Sequence, residues 1–90
     1  MAERRRYILV VSPHFERILK QLKRRKPTLL ADLEKQIGKI LHEPALGKPL
    51  RNVLRNYRRT HVGSFVLIYE IHGNEVRLME FDHHNRIYRK

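Results

Sequence analysis

Arg51, Arg55, Arg58 and Arg59 crowd the ten residues before His61, in a stretch that reads RNYRRTHVG over 55–63. A second cluster, FDHHNRIYR over 81–89, sets His83 and His84 side by side with Arg86 and Tyr88 nearby. Arginine grips a phosphate through a fork of parallel hydrogen bonds. Histidine, with an unperturbed pKa of about 6.5, gives or takes a proton near neutrality. Phosphate binding coupled to proton transfer is therefore the chemistry these residue types support. Thiolate chemistry is excluded, because the chain has no cysteine. His83 and His84 have no Asp, Glu or Cys at a ligand spacing that would complete a metal site, so no metal and no cofactor are expected.

The charge balance points the same way. Twenty Lys and Arg against nine Asp and Glu give a net charge of +11 over 90 residues. A field of that size concentrates polyanions at the surface, with nucleic acid the leading partner. The plainer alternatives are lysines that only solvate helices, or neutralisation by an acidic protein. Ninety residues make one domain, 1–90, with one core. No apolar run reaches the roughly 18 residues of a membrane span, and no signal peptide is recognised, so a cytoplasmic protein without a membrane partner is expected.

The elements that must position these residues follow from periodicity. RYILVV, 6–11, reads as a buried strand, with Ser12 as an N-cap and Pro13 opening a helix. Phe15, Ile18, Leu19 and Leu22 form the apolar stripe of that helix, which runs to about Arg25. Pro27 stops it. Thr28 is placed to cap a second helix carrying Leu30, Leu33, Ile37, Ile40 and Leu41 to about Glu43. EPALGKPLRN reads as a loop, and strands are expected at about 54–62, 65–72 and 75–82. The result is an α+β fold, β-α-α-β-β-β, with two antiparallel helices on one face of a mostly antiparallel four-stranded sheet.

Gly63-Ser64 and Gly73-Asn74 read as two-residue hairpin turns of type II′. That register pairs Val62 with Phe65, His61 with Val66, Tyr69 with Leu78, Ile68 with Met79 and Val66 with Phe81. Alternation then gives a core face of Val62, Phe65, Leu67, Tyr69, Ile71, Val76 and Leu78. The other face carries Tyr57, Arg59, His61, Val66, Ile68, Met79 and Phe81, with Glu70 opposite Arg77 and His83 continuing past Phe81. On this reading His61 and His83 flank one site. Val66, Ile68, Met79 and Phe81 form an apolar strip that no helix covers, which makes it a docking surface for another chain.

GKPLRNVLRNYRRTHVGSFVLIYEI followed by FDHHNRIYR resembles the RelE/ParE superfamily of toxins from toxin–antitoxin pairs, in the family's order over nearly all of the chain. The resemblance implies a toxin that is an endoribonuclease, in the RelE branch one that cuts messenger RNA in the ribosomal A site. No metal would be used: the ribose 2′-hydroxyl attacks the adjacent phosphate and leaves a 2′,3′-cyclic phosphate. It also implies an acidic antitoxin laid over the apolar strip, with the ribosome and messenger RNA as further partners. Position by position, Arg59 and His61 fall on the two basic positions before the glycine turn. His83 matches the histidine of the tail motif, His84 its arginine and Tyr88 its tyrosine. Val66 stands where many members have an arginine, and Arg86 where an acidic residue is common.

Such cleavage needs a base for the 2′-hydroxyl, cations on the developing phosphorane and an acid for the leaving oxygen. Arg59, His61, His83, His84 and Tyr88 are the catalytic candidates, and Arg51, Arg55, Arg58 and Arg86 the phosphate-binding ones. His14, His42 and His72 read as solvated. The basic run at 23–26 reads either as a contact to ribosomal RNA or as a solvated helix end that suits the helix dipole. Two other readings stand beside the ribonuclease: a ParE-like gyrase inhibitor, and an RNA-binding remnant without activity.

Overall fold

In the computed structural model, which describes residues 6–51 and 56–87, strand β1 (Ile8–Val11) leads directly into helix α1 (Pro13–Arg25). Ser12 has extended backbone and its Oγ accepts the Phe15 N–H at 3.1 Å, with Pro13 in the first turn, where its missing N–H costs nothing. Helix α2 (Pro27–His42) follows after a single residue. Pro27 ends α1 as expected, but it also opens α2. Lys26 therefore occupies the cap position without a side-chain cap bond, and the cap role expected for Thr28 does not arise.

The segment expected to be a loop is more ordered than its prolines and glycine suggest. A 3-10 turn at Pro44–Leu46 precedes a two-residue strand β2 (Lys48–Pro49), which pairs antiparallel with β3 (Tyr57–Val62). Proline is tolerated there because β2 is the outermost strand and needs no ladder on its far side. Strands β4 (Phe65–His72) and β5 (Glu75–His83) complete the sheet, and a short helix α3 (His84–Ile87) ends the described chain. The order is β1-β5-β4-β3-β2, with β1 parallel to β5 and every other pair antiparallel. The α+β architecture is as expected, with a fifth strand and a third helix added.

Both hairpins have two-residue loops, with Gly63 and Gly73 at φ 60, a conformation that costs glycine nothing. Leu67, Tyr69, Val76 and Leu78 face Phe15, Leu33 and Ile40 of the two helices, all essentially without exposure. Glu70 lies opposite Arg77 as expected, with an ion-pair contact of 3.7 Å.

The register departs from expectation halfway along β5. Tyr69 pairs with Leu78, but Ile68 pairs with Glu80, Leu67 with Phe81, Val66 with Asp82 and Phe65 with His83. Met79 is the extra residue of a β-bulge, and a one-residue insertion moves everything beyond it to the opposite face. Phe81 accordingly joins the core, 4 % exposed, and its ring stacks on Phe65 at 5.2 Å between centroids. The expected pairs Ile68–Met79 and Val66–Phe81 are not formed.

Candidate phosphate-binding and proton-transfer site

The bulge divides the residues that the sequence placed together. His61 pairs with Val66 and is exposed on the face away from α1 and α2. His83 pairs with Phe65, whose side chain belongs to the helix-covered face, and meets that ring edge-on at 5.6 Å. The expected arrangement in which His61 and His83 flank one phosphate is therefore not found.

The uncovered strip is corrected as well. Val66 is fully buried although alternation directs it away from the main core, and Phe81 is a core residue. Among the described elements, α3 is the one placed to cover Val66: it packs against β4 and β5, and its Ile87 is buried. Ile68 and Met79 are only half-buried, so the expected docking strip shrinks to these two. The large apolar residues that remain exposed among the described ones are Ile8, Leu9 and Leu46.

What the structure does assemble falls into two groups. The first is a cationic row. Arg59 and His61 alternate on one face of β3, and Lys48 of β2 stands directly opposite Arg59. Like charges directly across a ladder repel, and a bound polyanion relieves that repulsion. Lys48 was hidden in the sequence because β2 is two residues long and half proline. Arg58 points the other way: its guanidinium donates to the carbonyls of Gly47 at 2.6 Å and Ala45 at 3.3 Å, tying down the loop before β2. Its expected role on phosphate gives way to that structural one. Arg51 is exposed just beyond β2. Arg55 and Tyr88 lie outside the described residues.

The second group sits where β5 runs into α3. The rings of His83 and His84 lie 4.6 Å apart at a tilt of 32°. The Asn85 N–H donates to His83 Nδ1 at 3.2 Å, while His84 uses both its backbone N–H (3.0 Å) and Nδ1 (3.2 Å) on the carbonyl of Ser64 in the β3–β4 turn. Asp82 Oδ1 accepts from the His83 N–H at 2.7 Å and from Arg86 Nε at 2.9 Å, which fixes an otherwise exposed arginine on Asp82. The cationic row ends at His61, and the turn that follows is the one bonded to His84.

Elsewhere, His14, expected to be only solvated, reaches from α1 to Glu80 at 3.2 Å. It lines an open cleft of about 380 Å³ with Arg25, Lys26, Phe65 and Arg86. Among the described residues no group of three His, Cys, Asp or Glu is placed to hold a metal ion, and no helix is long and apolar enough to cross a membrane.

Comparison with known proteins places this arrangement in a family. The model of the ParE toxin of type II toxin–antitoxin systems matches residues 9–88. A protein of Methanocaldococcus jannaschii that carries the RelE4 toxin name is 33% identical over 87 residues, 93% of each chain. The crystal structure of the RelBE2 toxin–antitoxin complex from Mycobacterium tuberculosis superposes with a TM-score of 0.71 at 28% identity, covering 86% of this chain and 96% of that one. A YoeB/ParE toxin from Agrobacterium tumefaciens shares the fold at a TM-score of 0.76 and 14% identity, over 84% and 97%. The chain belongs to the ParE toxin family of type II toxin–antitoxin systems, and its fold is that of the RelE, YoeB and ParE toxins.

Proposed function

We propose that this toxin is an endoribonuclease that cuts messenger RNA in the ribosomal A site without a metal, the 2′-hydroxyl attacking the adjacent phosphate. The observation that carries the reading is the meeting of the two groups at one turn: Lys48, Arg59 and His61 lead along β3 to the β3–β4 turn, and Ser64 in that turn holds His84. On this reading an RNA strand rests its phosphates on Lys48 and Arg59 and rounds the β3–β4 turn to bring its scissile linkage to the His83–His84 pair, whose imidazoles supply the proton transfers that metal-free cleavage requires. Tyr88, two residues after Arg86 in the sequence, is proposed to support the substrate. The partner that restrains the activity is an acidic antitoxin, which suits the charge of +11. The Mycobacterium tuberculosis neighbour is itself a toxin–antitoxin complex.

The test is cleavage of a translated messenger in a cell-free system with end-group analysis. Codon-phased cuts bearing 2′,3′-cyclic phosphate are expected, weakened by Arg59→Ala and His61→Ala. Intact messenger with the wild-type protein refutes the reading. One observation favours a second: Val66 replaces a cation common in the family and is buried, which leaves the face without that phosphate contact. Inhibition of gyrase supercoiling without RNA cleavage is the outcome that reading requires.

A further inference from the structure

The hydrogen bonds around the two adjacent histidines are not equivalent, and their difference assigns each a chemical part. A carbonyl oxygen only accepts, so the contact between His84 Nδ1 and the Ser64 carbonyl needs the proton on Nδ1. The neutral ring then presents a bare Nε2 lone pair. The same bond survives when Nε2 gains a proton, because Nδ1–H donates in both states. His83 is arranged the other way round. Its Nδ1 accepts the Asn85 N–H, so the ring's proton is on Nε2. Adding a second proton would set two donors face to face and break that contact. His83 is also lodged against the edge of Phe65, whereas His84 is exposed.

Resting on the ribonuclease reading above, we infer that His84 is the general base of the cleavage and that His83 is a fixed Nε2–H donor to the phosphoryl oxygen. In the step, His84 Nε2 takes the 2′-hydroxyl proton as the 2′-oxygen forms its bond to phosphorus. His83 Nε2–H, with Arg86 anchored on Asp82, bonds a non-bridging oxygen that gains charge. The bond from phosphorus to the 5′-oxygen breaks, and the leaving oxygen takes a proton from water. The His84 imidazolium returns its proton to the hydroxide so formed. A cyclic phosphate and a 5′-hydroxyl result, and both histidines end as they began. His61, on the opposite face from His83, takes no part in proton transfer in this scheme.

Glutamine separates the two parts, since its side-chain amide reproduces an Nε2–H donor but supplies no base. With translated messenger as substrate, His83→Gln is expected to stay within about tenfold of wild type, the scale of one hydrogen bond. His84→Gln is expected to lose about 10² to 10⁴ in rate, and added imidazole to restore part of the activity of His84→Gly. Equal losses in the two glutamine variants, or an active His84→Gln, overturn the assignment. Nitrogen-15 NMR of the imidazoles in the uncomplexed protein reads the same point without activity. Nδ1–H on His84 and Nε2–H on His83 support it, and the reverse tautomers overturn it. Wild-type protein that cuts no messenger refutes the ribonuclease reading and leaves the tautomers to the NMR measurement, so the two failures are told apart.

Discussion

Tyr69 lies on the central strand β4 and is fully buried, yet its hydroxyl is satisfied twice: it accepts the Gly47 N–H at 2.8 Å and donates to the Pro44 carbonyl at 2.7 Å. Removing it orphans a donor and an acceptor inside the protein, so Tyr69→Phe should lower unfolding free energy by about 1–3 kcal/mol in denaturant titration. Burial raises the Tyr69 pKa above its ordinary value, while the Gly47 hydrogen bond and Arg58 pull it down less strongly. A pKa raised on folding means that its stabilisation is complete below the unfolded value, about 10, and is lost as pH climbs through the folded value. Wild type should therefore lose more stability than Tyr69→Phe above about pH 10. Gly47 is fixed by space. An added Cβ would lie 2.7 Å from the Tyr69 hydroxyl and 2.8 Å from the Arg59 carbonyl, so Gly47→Ala should cost about 1–3 kcal/mol and disturb the pairing of Lys48 with Arg59.

Among the elements, the bulge in β5 decides which side chains are available for function. Phe81→Ala should destabilise by about 3–5 kcal/mol, as loss of a core aromatic does, while Met79→Ala, half-buried at the bulge, should cost clearly less. Comparable losses at both sites, read by thermal or denaturant unfolding, would argue against this register. Helices α1 and α2, the hairpins and the core face up to Leu78 were legible in the sequence because each had its own signal, among them Ser12-Pro13, the stripe from Phe15 to Leu22, and glycine at both turns. The bulge had only a faint one. Val76 and Leu78 keep one phase of alternation, and Met79 and Phe81 keep the other. A single extended register reads that as two faces, whereas a slipped one puts Phe81 back in the core. No glycine or proline marks the slip. The site suffered accordingly: Arg59 and His61 were correctly set on one face, while His83 was placed on the wrong one. Lys48 was overlooked because two residues show no periodicity.

At the scale of the whole molecule, the net charge of +11 sets a long-range field that draws polyanions, RNA on the function proposed above, before any side chain is positioned. Affinity for single-stranded RNA should fall steeply between 50 and 200 mM salt, with a log–log slope of about −0.7 per neutralised phosphate. Lys48→Gln and Arg59→Gln should each make that slope shallower by about 0.7, measured by fluorescence titration, and Arg58→Gln should leave it nearly unchanged while weakening the fold. The strand order has another outcome. Among the described elements the only sheet partner of β1 is β5, and their paired residues, Ile8 with Glu75 through Val11 with Leu78, are separated by about three quarters of the chain. A loop that long closes late, so the first strand made on a translating ribosome waits for the last before the sheet is whole. The sheet of a nascent chain is consequently incomplete until β5 has been made, and the site that rests on that sheet is incomplete with it.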